Sequence, residues 1–192
     1  MQRISFQSTK IPALTLVMPL LVSDQRGFLS KVYEKDIFMQ NGIYLYPYEE
    51  LLSCSHKGVL RGLHFQREYS QDKLVRVLHG AVYDVAVDLR EGSATFGQWE
   101  GFFLSSENRS MLYIPKGFAH GFLALEEDTL FSYLCGDRYD PDSDGGILWN
   151  DSELNVQWPL DRVEQVIVSE KDQKLSTFSQ FRTQYGALMK QG

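Results

Sequence analysis

Cysteine is scarce in this chain, with two thiols, Cys54 and Cys135, in 192 residues. That excludes a disulfide framework and favours two reduced thiols in a cytoplasmic protein. Positive charge is also short. Nineteen Lys and Arg stand against 25 Asp and Glu, a net charge of −6. A general nucleic-acid binder carries the opposite excess, because it must neutralise phosphate. An anionic small molecule held by a few local arginines stays open. No long apolar run is present. Ile11–Val22 comes nearest, but Pro12 and Pro19 break it and it is too short to span a bilayer. No small-residue cleavage site follows it, so it reads as buried strand and turn rather than a targeting segment. Repeats, low-complexity tracts and Pro/Ser-rich linkers are missing too, so residues 1–192 are expected to form a single domain.

What is present is a series of short runs rich in β-branched and aromatic residues, separated by turn material. The pattern predicts strands over Phe28–Tyr33, Tyr44–Ser53, Val59–Phe65, Lys73–His79, Ala81–Leu89, Gln98–Leu104, Met111–Ile114, Gly121–Leu125 and Thr129–Cys135. Helical signal is confined to Lys35–Asn41 and Ser176–Met189, the latter in a tail of about 176–192 expected to be peripheral. Such close strand spacing indicates a sandwich or barrel. Within Ala81–Leu89, alternation places Val82, Asp84, Ala86 and Asp88 on one face. Two carboxylates on one face suggest a solvated side, with a polar cavity as the alternative. Trp149 and Trp158 are expected in the core or a hairpin.

Two motifs carry the chemistry. The first is Gly58-Val59-Leu60-Arg61-Gly62-Leu63-His64-Phe65-Gln66, followed by Lys73 and Gly80; the second is Pro115-Lys116-Gly117-Phe118-Ala119-His120-Gly121-Phe122. Together they resemble the paired motifs of a cupin, a double-stranded β-helix or jelly-roll barrel, which implies an all-β fold with a few short peripheral helices. The metal-ligand set of that pattern is broken. Gln66 replaces the second histidine, and Lys73 stands where a glutamate ligand would sit. An ammonium repels a divalent ion, and His64 with His120 gives too few ligands. No metal and no cofactor are therefore expected. A histidine with Lys and Arg at a barrel mouth instead suits proton abstraction beside a ketone, the base near neutral pKa and the cations holding the enolate.

The first motif, Lys73-Leu74-Val75, Asp84–Arg90, Ser93–Gly97, Ile114–Phe122, Trp149-Asn150-Asp151, Trp158-Pro159 and Ser169-Glu170-Lys171-Asp172 occur in order. This succession resembles the dTDP-4-dehydrorhamnose 3,5-epimerase family. The resemblance implies an isomerase acting on a nucleotide-linked 4-keto-6-deoxysugar, most simply a dTDP-sugar, in deoxysugar biosynthesis for surface polysaccharide such as O-antigen. It implies His64 as base, Asp172 as its carboxylate, Lys73 and Arg61 on the C4 carbonyl, and Tyr133 as the acid on the opposite face. It also implies substrate contacts from Phe28, Gln66, His120 and Tyr139. Finally, it implies a homodimer in which Arg26 reaches the partner's nucleotide phosphate.

One difficulty is geometric. On a regular strand Arg61 and His64 face opposite ways, so a bulge near Gly62 is required. The recognition shell also departs from the family. Lys31 stands where a glutamate is usual, and Glu49 and Leu51 stand where glutamine and asparagine are usual. Lys31 and Glu49 pairing with each other would restore neutrality. Three alternatives stay open at the level of sequence: a metal-dependent cupin recruiting His56 or His79, a non-catalytic sugar- or nucleotide-binding barrel, and a sugar-ketone isomerase.

Overall fold

The computed structural model describes residues 3–190. In chain order its strands are β1 (Ser5–Ser8), β2 (Thr15–Met18), β3 (Leu20–Asp24), β4 (Gly27–Lys31), β5 (Glu49–Ser55), β6 (Val59–Gln66), β7 (Lys73–His79), β8 (Ala81–Asp88), β9 (Arg90–Glu91), β10 (Trp99–Ser105), β11 (Met111–Ile114), β12 (Phe118–Ala124), β13 (Thr129–Cys135), β14 (Asp144–Gly146), β15 (Ile167–Val168) and β16 (Leu188–Lys190). The helices are α1 (Lys35–Gln40) and α2 (Phe178–Tyr185). One sheet runs β1-β2-β11-β7-β13-β5; the other runs β10-β8-β12-β6-β14, with β15 added in parallel to β6. The pairings within both main paths are antiparallel. This is the jelly-roll arrangement expected.

Alternation along the strands creates three apolar layers. Val75, Val77, Leu112, Ile114 and Phe131 of the first sheet meet Val82, Ala86, Leu104, Phe118 and Phe122 of the second. Outside the first sheet, Val17, Leu74 and Met111 are covered by Phe38 of α1 and by Ile43 and Leu45. Outside the second, Leu60, Leu63, Phe65, Val85, Val87 and Leu123 are covered by Trp158 and by Phe178 and Phe181 of α2. The tail is therefore not peripheral. Phe181 is fully buried, and a Thr177–Gln180 capping box starts its helix. The helix ends at Tyr185, short of the expected span, and β16 follows.

The same double coverage corrects the reading of β8. Its inward face packs against the first sheet and its outward face lies under Trp158 and α2, so neither face is open to solvent, and Asp84 and Asp88 are both fully buried. Asp88 is satisfied. Its Oδ1 accepts from the Arg90 backbone and Nε, and its Oδ2 accepts from Arg90 Nη2, Ser93 Oγ and Thr95 Oγ1 at 2.6–2.7 Å. Burial raises this carboxyl's pKa, but the Arg90 guanidinium and the two hydroxyls outweigh it and leave the pKa below the usual carboxylate range. The reversal between β7 and β8 falls at Gly80, whose φ of +78° and close approach to Thr129 exclude a side chain.

Candidate active site

The bulge required by sequence is present. Between β6 and β12 the register runs His64↔His120 and then Arg61↔Phe122, so three steps on β6 oppose two on β12. The extra residue is Gly62, at φ +116°, where a Cβ would lie 2.6 Å from the Gly121 Cα. The slip returns Arg61 to the side of the strand that His64 occupies, and both line one cavity of about 720 Å³. It also frees the Gly62 N–H from the ladder, and that group donates to Asp172 Oδ2 at 3.2 Å.

His64 Nε2–H donates to Asp172 Oδ1 at 2.8 Å. Asp172 is buried at the start of a 3₁₀ turn, and its own N–H donates to Ser169 Oγ. Burial raises its pKa, but the His64 hydrogen bond foremost, then Gly62 and Ser169, outweigh burial and hold the carboxyl below its ordinary value. An ionised Asp172 can only accept, so the proton sits on Nε2 and Nδ1 is the basic nitrogen.

Lys73 and Tyr133 line the same cavity, from β7 and β13. Burial pulls the Lys73 ammonium below the usual lysine range, with the surrounding anionic groups opposing it. Burial pushes the Tyr133 phenol well above its ordinary value, so it keeps its proton. The Arg61 guanidinium is anchored on β5, donating from Nε to Ser55 Oγ at 3.2 Å and from Nη2 to the Cys54 carbonyl at 3.5 Å. Its charge still acts on the Tyr133 phenol.

The remaining predicted residues are placed differently. Gln66 lines the cavity, but its amide is engaged on the backbone of Tyr69, Arg138 and Asp140, pinning two loops. His120 does not line the cavity. It is buried, donates from Nε2 to Asp84 Oδ2 at 2.8 Å, and packs edge-on to Tyr133 at 6.1 Å. Tyr139 stands at the mouth and donates to Asp144 Oδ2, which also receives Lys171 Nζ. Arg26, Phe28 and Lys31 lie on the β3–β4 hairpin, outside this chain's own cavity. Arg26 is exposed and paired with Asp24, and Arg109 stacks over the Phe28 ring at 4.8 Å. The Lys31–Glu49 pairing does not form. Lys31 binds Glu34, three residues along, while Glu49 accepts from Gln71 at 2.9 Å at the cavity rim. Leu51 lines the cavity, as do Gln71, Asp144, Lys171 and Ser169, which sequence reasoning did not single out. Gln71 and Asp144 sit in stretches that look like ordinary turns; Ser169 and Lys171 fall in a motif that carried a signal for Asp172 alone.

Metal chemistry at His64 and His120 is disfavoured by the donor set, since His120 does not line the cavity and the groups beside His64 there include the cations Arg61 and Lys73, which repel a divalent ion. Among the described residues the one group with ligand spacing is His56, Glu127 and Asp128, all exposed, with His56 Nδ1 already bonded to Glu127.

Comparison with known proteins is consistent with this geometry. Residues 8–180 match the family model described as dTDP-4-dehydrorhamnose 3,5-epimerase. The chain is 45% identical over 172 residues to the enzyme of that name from Methanothermobacter thermautotrophicus, covering 90% of this chain and 93% of the relative. It is 46% identical over 176 residues to the Escherichia coli one, with the same coverages. The chain belongs to the dTDP-4-dehydrorhamnose 3,5-epimerase family. It is thus an isomerase acting on a nucleotide sugar. Among solved structures, a Legionella pneumophila dTDP-6-deoxy-D-glucose-3,5-epimerase in complex with dTDP-4-keto-L-rhamnose superposes with a TM-score of 0.92 at 40% identity, covering 99% of this chain and 100% of that one. No helix among the described residues is long and apolar enough to cross a membrane.

Proposed function

We propose that this epimerase inverts the carbons flanking the C4 ketone of a dTDP-linked 4-keto-6-deoxyglucose, through an enolate. The observation that carries the reading is one cavity holding an oriented imidazole, a half-buried ammonium and a protonated phenol. The ketone acidifies the hydrogens at C3 and C5. Nδ1 of His64 removes one of them, and Asp172 stabilises the imidazolium that forms. Lys73, with Arg61 beside it, holds the charge that develops on the C4 oxygen. Tyr133 returns a proton from the opposite face at C5, while at C3 solvent supplies it. The phenolate is reprotonated from water, and no electrons change hands.

The working unit in this reading is a homodimer. Among the described residues the β3–β4 hairpin pairs only with itself, and it exposes Val22, Phe28 and Leu29, the last at 74%. A second copy covering that apolar ribbon would bring Arg26, Phe28 and Lys31 to its cavity. A cytoplasmic enzyme feeding surface polysaccharide such as O-antigen fits two free thiols and a nucleotide-linked substrate. The test is incubation with the dTDP 4-keto sugar in deuterated water. NMR should show deuterium at C3 and C5 and the doubly inverted product; deuterium at one carbon alone would restrict the enzyme to that centre, and none would end the reading.

A further inference from the structure

The reaction leaves one buried charged group without a task. Asp84, on the inward face of β8 between Val82 and Ala86, is fully buried in the layer between the sheets. Its Oδ2 receives His120, while its Oδ1 has no hydrogen-bond partner. A buried carboxylate so poorly satisfied is costly and would be replaced by an apolar residue at little loss, unless its charge is used. Lys73 has the complementary defect. Among the described residues it forms no salt bridge, although it is an ammonium in the same interior.

We propose that Asp84 is a positioning residue, the fixed counter-charge of the site, whose bond to His120 holds one negative charge in the floor shared with Lys73 and Tyr133. His120 is the cross-strand neighbour of His64, and its ring lies against Phe131 and Tyr133. In the proposal the pair is an Asp84 carboxylate receiving the Nε2–H of a neutral His120 imidazole, so it carries one negative charge. That charge favours the protonated form of Lys73, the form that holds the enolate. It acts in the required sense on both reacting groups, favouring the protonated ammonium and the protonated phenol. The other groups facing Lys73 are Cys135 from β13, Asp144 from β14 and Glu49 from β5. The Cys135 thiol, pushed up to about 11 chiefly by burial, is uncharged at neutral pH, and the two carboxylates lie on the mouth side.

The inference rests on Lys73 holding the enolate, which Lys73→Gln tests separately: full turnover there would end that reading. The experiment proper is the pH profile of kcat for wild type, Asp84→Asn, Asp84→Ser and His120→Asn. In both Asp84 variants the alkaline limb should move to lower pH by about one unit, the size expected for losing one charge at this range in a protein interior. In His120→Asn the carboxylate and its charge remain, so the limb should stay where the wild type has it, whatever happens to turnover. A limb unmoved by either Asp84 variant overturns the proposal, as does an equal shift in His120→Asn, which would make the pair structural. If neither Asp84 variant folds, NMR titration of the Lys73 ammonium in the wild type decides. An ammonium still charged at about pH 8 supports the counter-charge, and one deprotonated near neutrality refutes it.

Discussion

In the proposed mechanism His64 can act as a base because Asp172 fixes which nitrogen carries the proton. Asp172→Asn keeps shape and hydrogen bonding but lets the amide donate, releasing the tautomer. Turnover should fall by about 10²–10⁴-fold with the fold intact, as should His64→Ala. Steady-state kinetics beside a melting curve checks this; near-wild-type turnover in a folded Asp172→Asn would detach the carboxylate from the chemistry. Asp88 offers the contrasting case of a buried carboxylate that serves stability. Its pKa is lowered in the fold, so its contribution is fully present above the unfolded carboxylate value and is lost as pH falls through the lower folded one. Asp88→Asn leaves the Arg90 guanidinium without its partner and should cost about 3–5 kcal/mol near neutral pH. Denaturant titrations should show that difference shrinking below about pH 4; a difference independent of pH would contradict it.

At the scale of the element, β6 decides the site. A regular strand would bury either Arg61 or His64 on the wrong face, and Gly62 supplies the one extra residue that corrects it. Gly62→Ala forces a Cβ to within 2.6 Å of Gly121 at a positive φ. Because that shift moves His64 and the N–H that holds Asp172 together, activity should fall further than stability in any folded fraction. Measuring both on the same preparation checks it, and full activity would show the bulge to be incidental. The need for this bulge was legible from Arg61 and His64 alone, since alternation forbids the pair otherwise. So were most strands, because β-branched runs between turn residues leave few other options. The solvation of β8 was misjudged because alternation assigns a face and not what covers it. The covering layers are the first sheet on one face and Trp158 with Phe181 on the other, largely distant in sequence. The cavity residues Gln71 and Asp144 were silent for the same reason: an ordinary turn residue becomes a rim group only when β13 and β14 close beside it. His64 and Lys73 were legible from the cupin-like spacing and Asp172 from the family resemblance alone, whereas His120 had the spacing but ended behind the wall.

At the scale of the molecule, the protein is acidic overall, yet its cavity is lined by Arg61, Lys73 and Lys171, a local reversal of sign suited to a nucleoside diphosphate. Among the described residues the hairpin that carries Arg26 pairs with no other strand, and Arg26 lies outside this chain's own cavity. Arg26→Ala should therefore raise KM for the dTDP-sugar several-fold with little change in kcat, the signature of lost uniform binding. Sedimentation should report a dimer, and a fully active monomer would remove the crossover from the account. The central claim is that two groups on opposite faces of one enolate share the inversion, and Tyr133→Phe separates them most directly. In deuterated water with the dTDP 4-keto sugar, NMR of this variant should show solvent deuterium still entering the substrate through His64 while inversion at C5 falls sharply. Undiminished inversion at C5, or loss of exchange together with inversion, would contradict the division of labour between His64 and Tyr133.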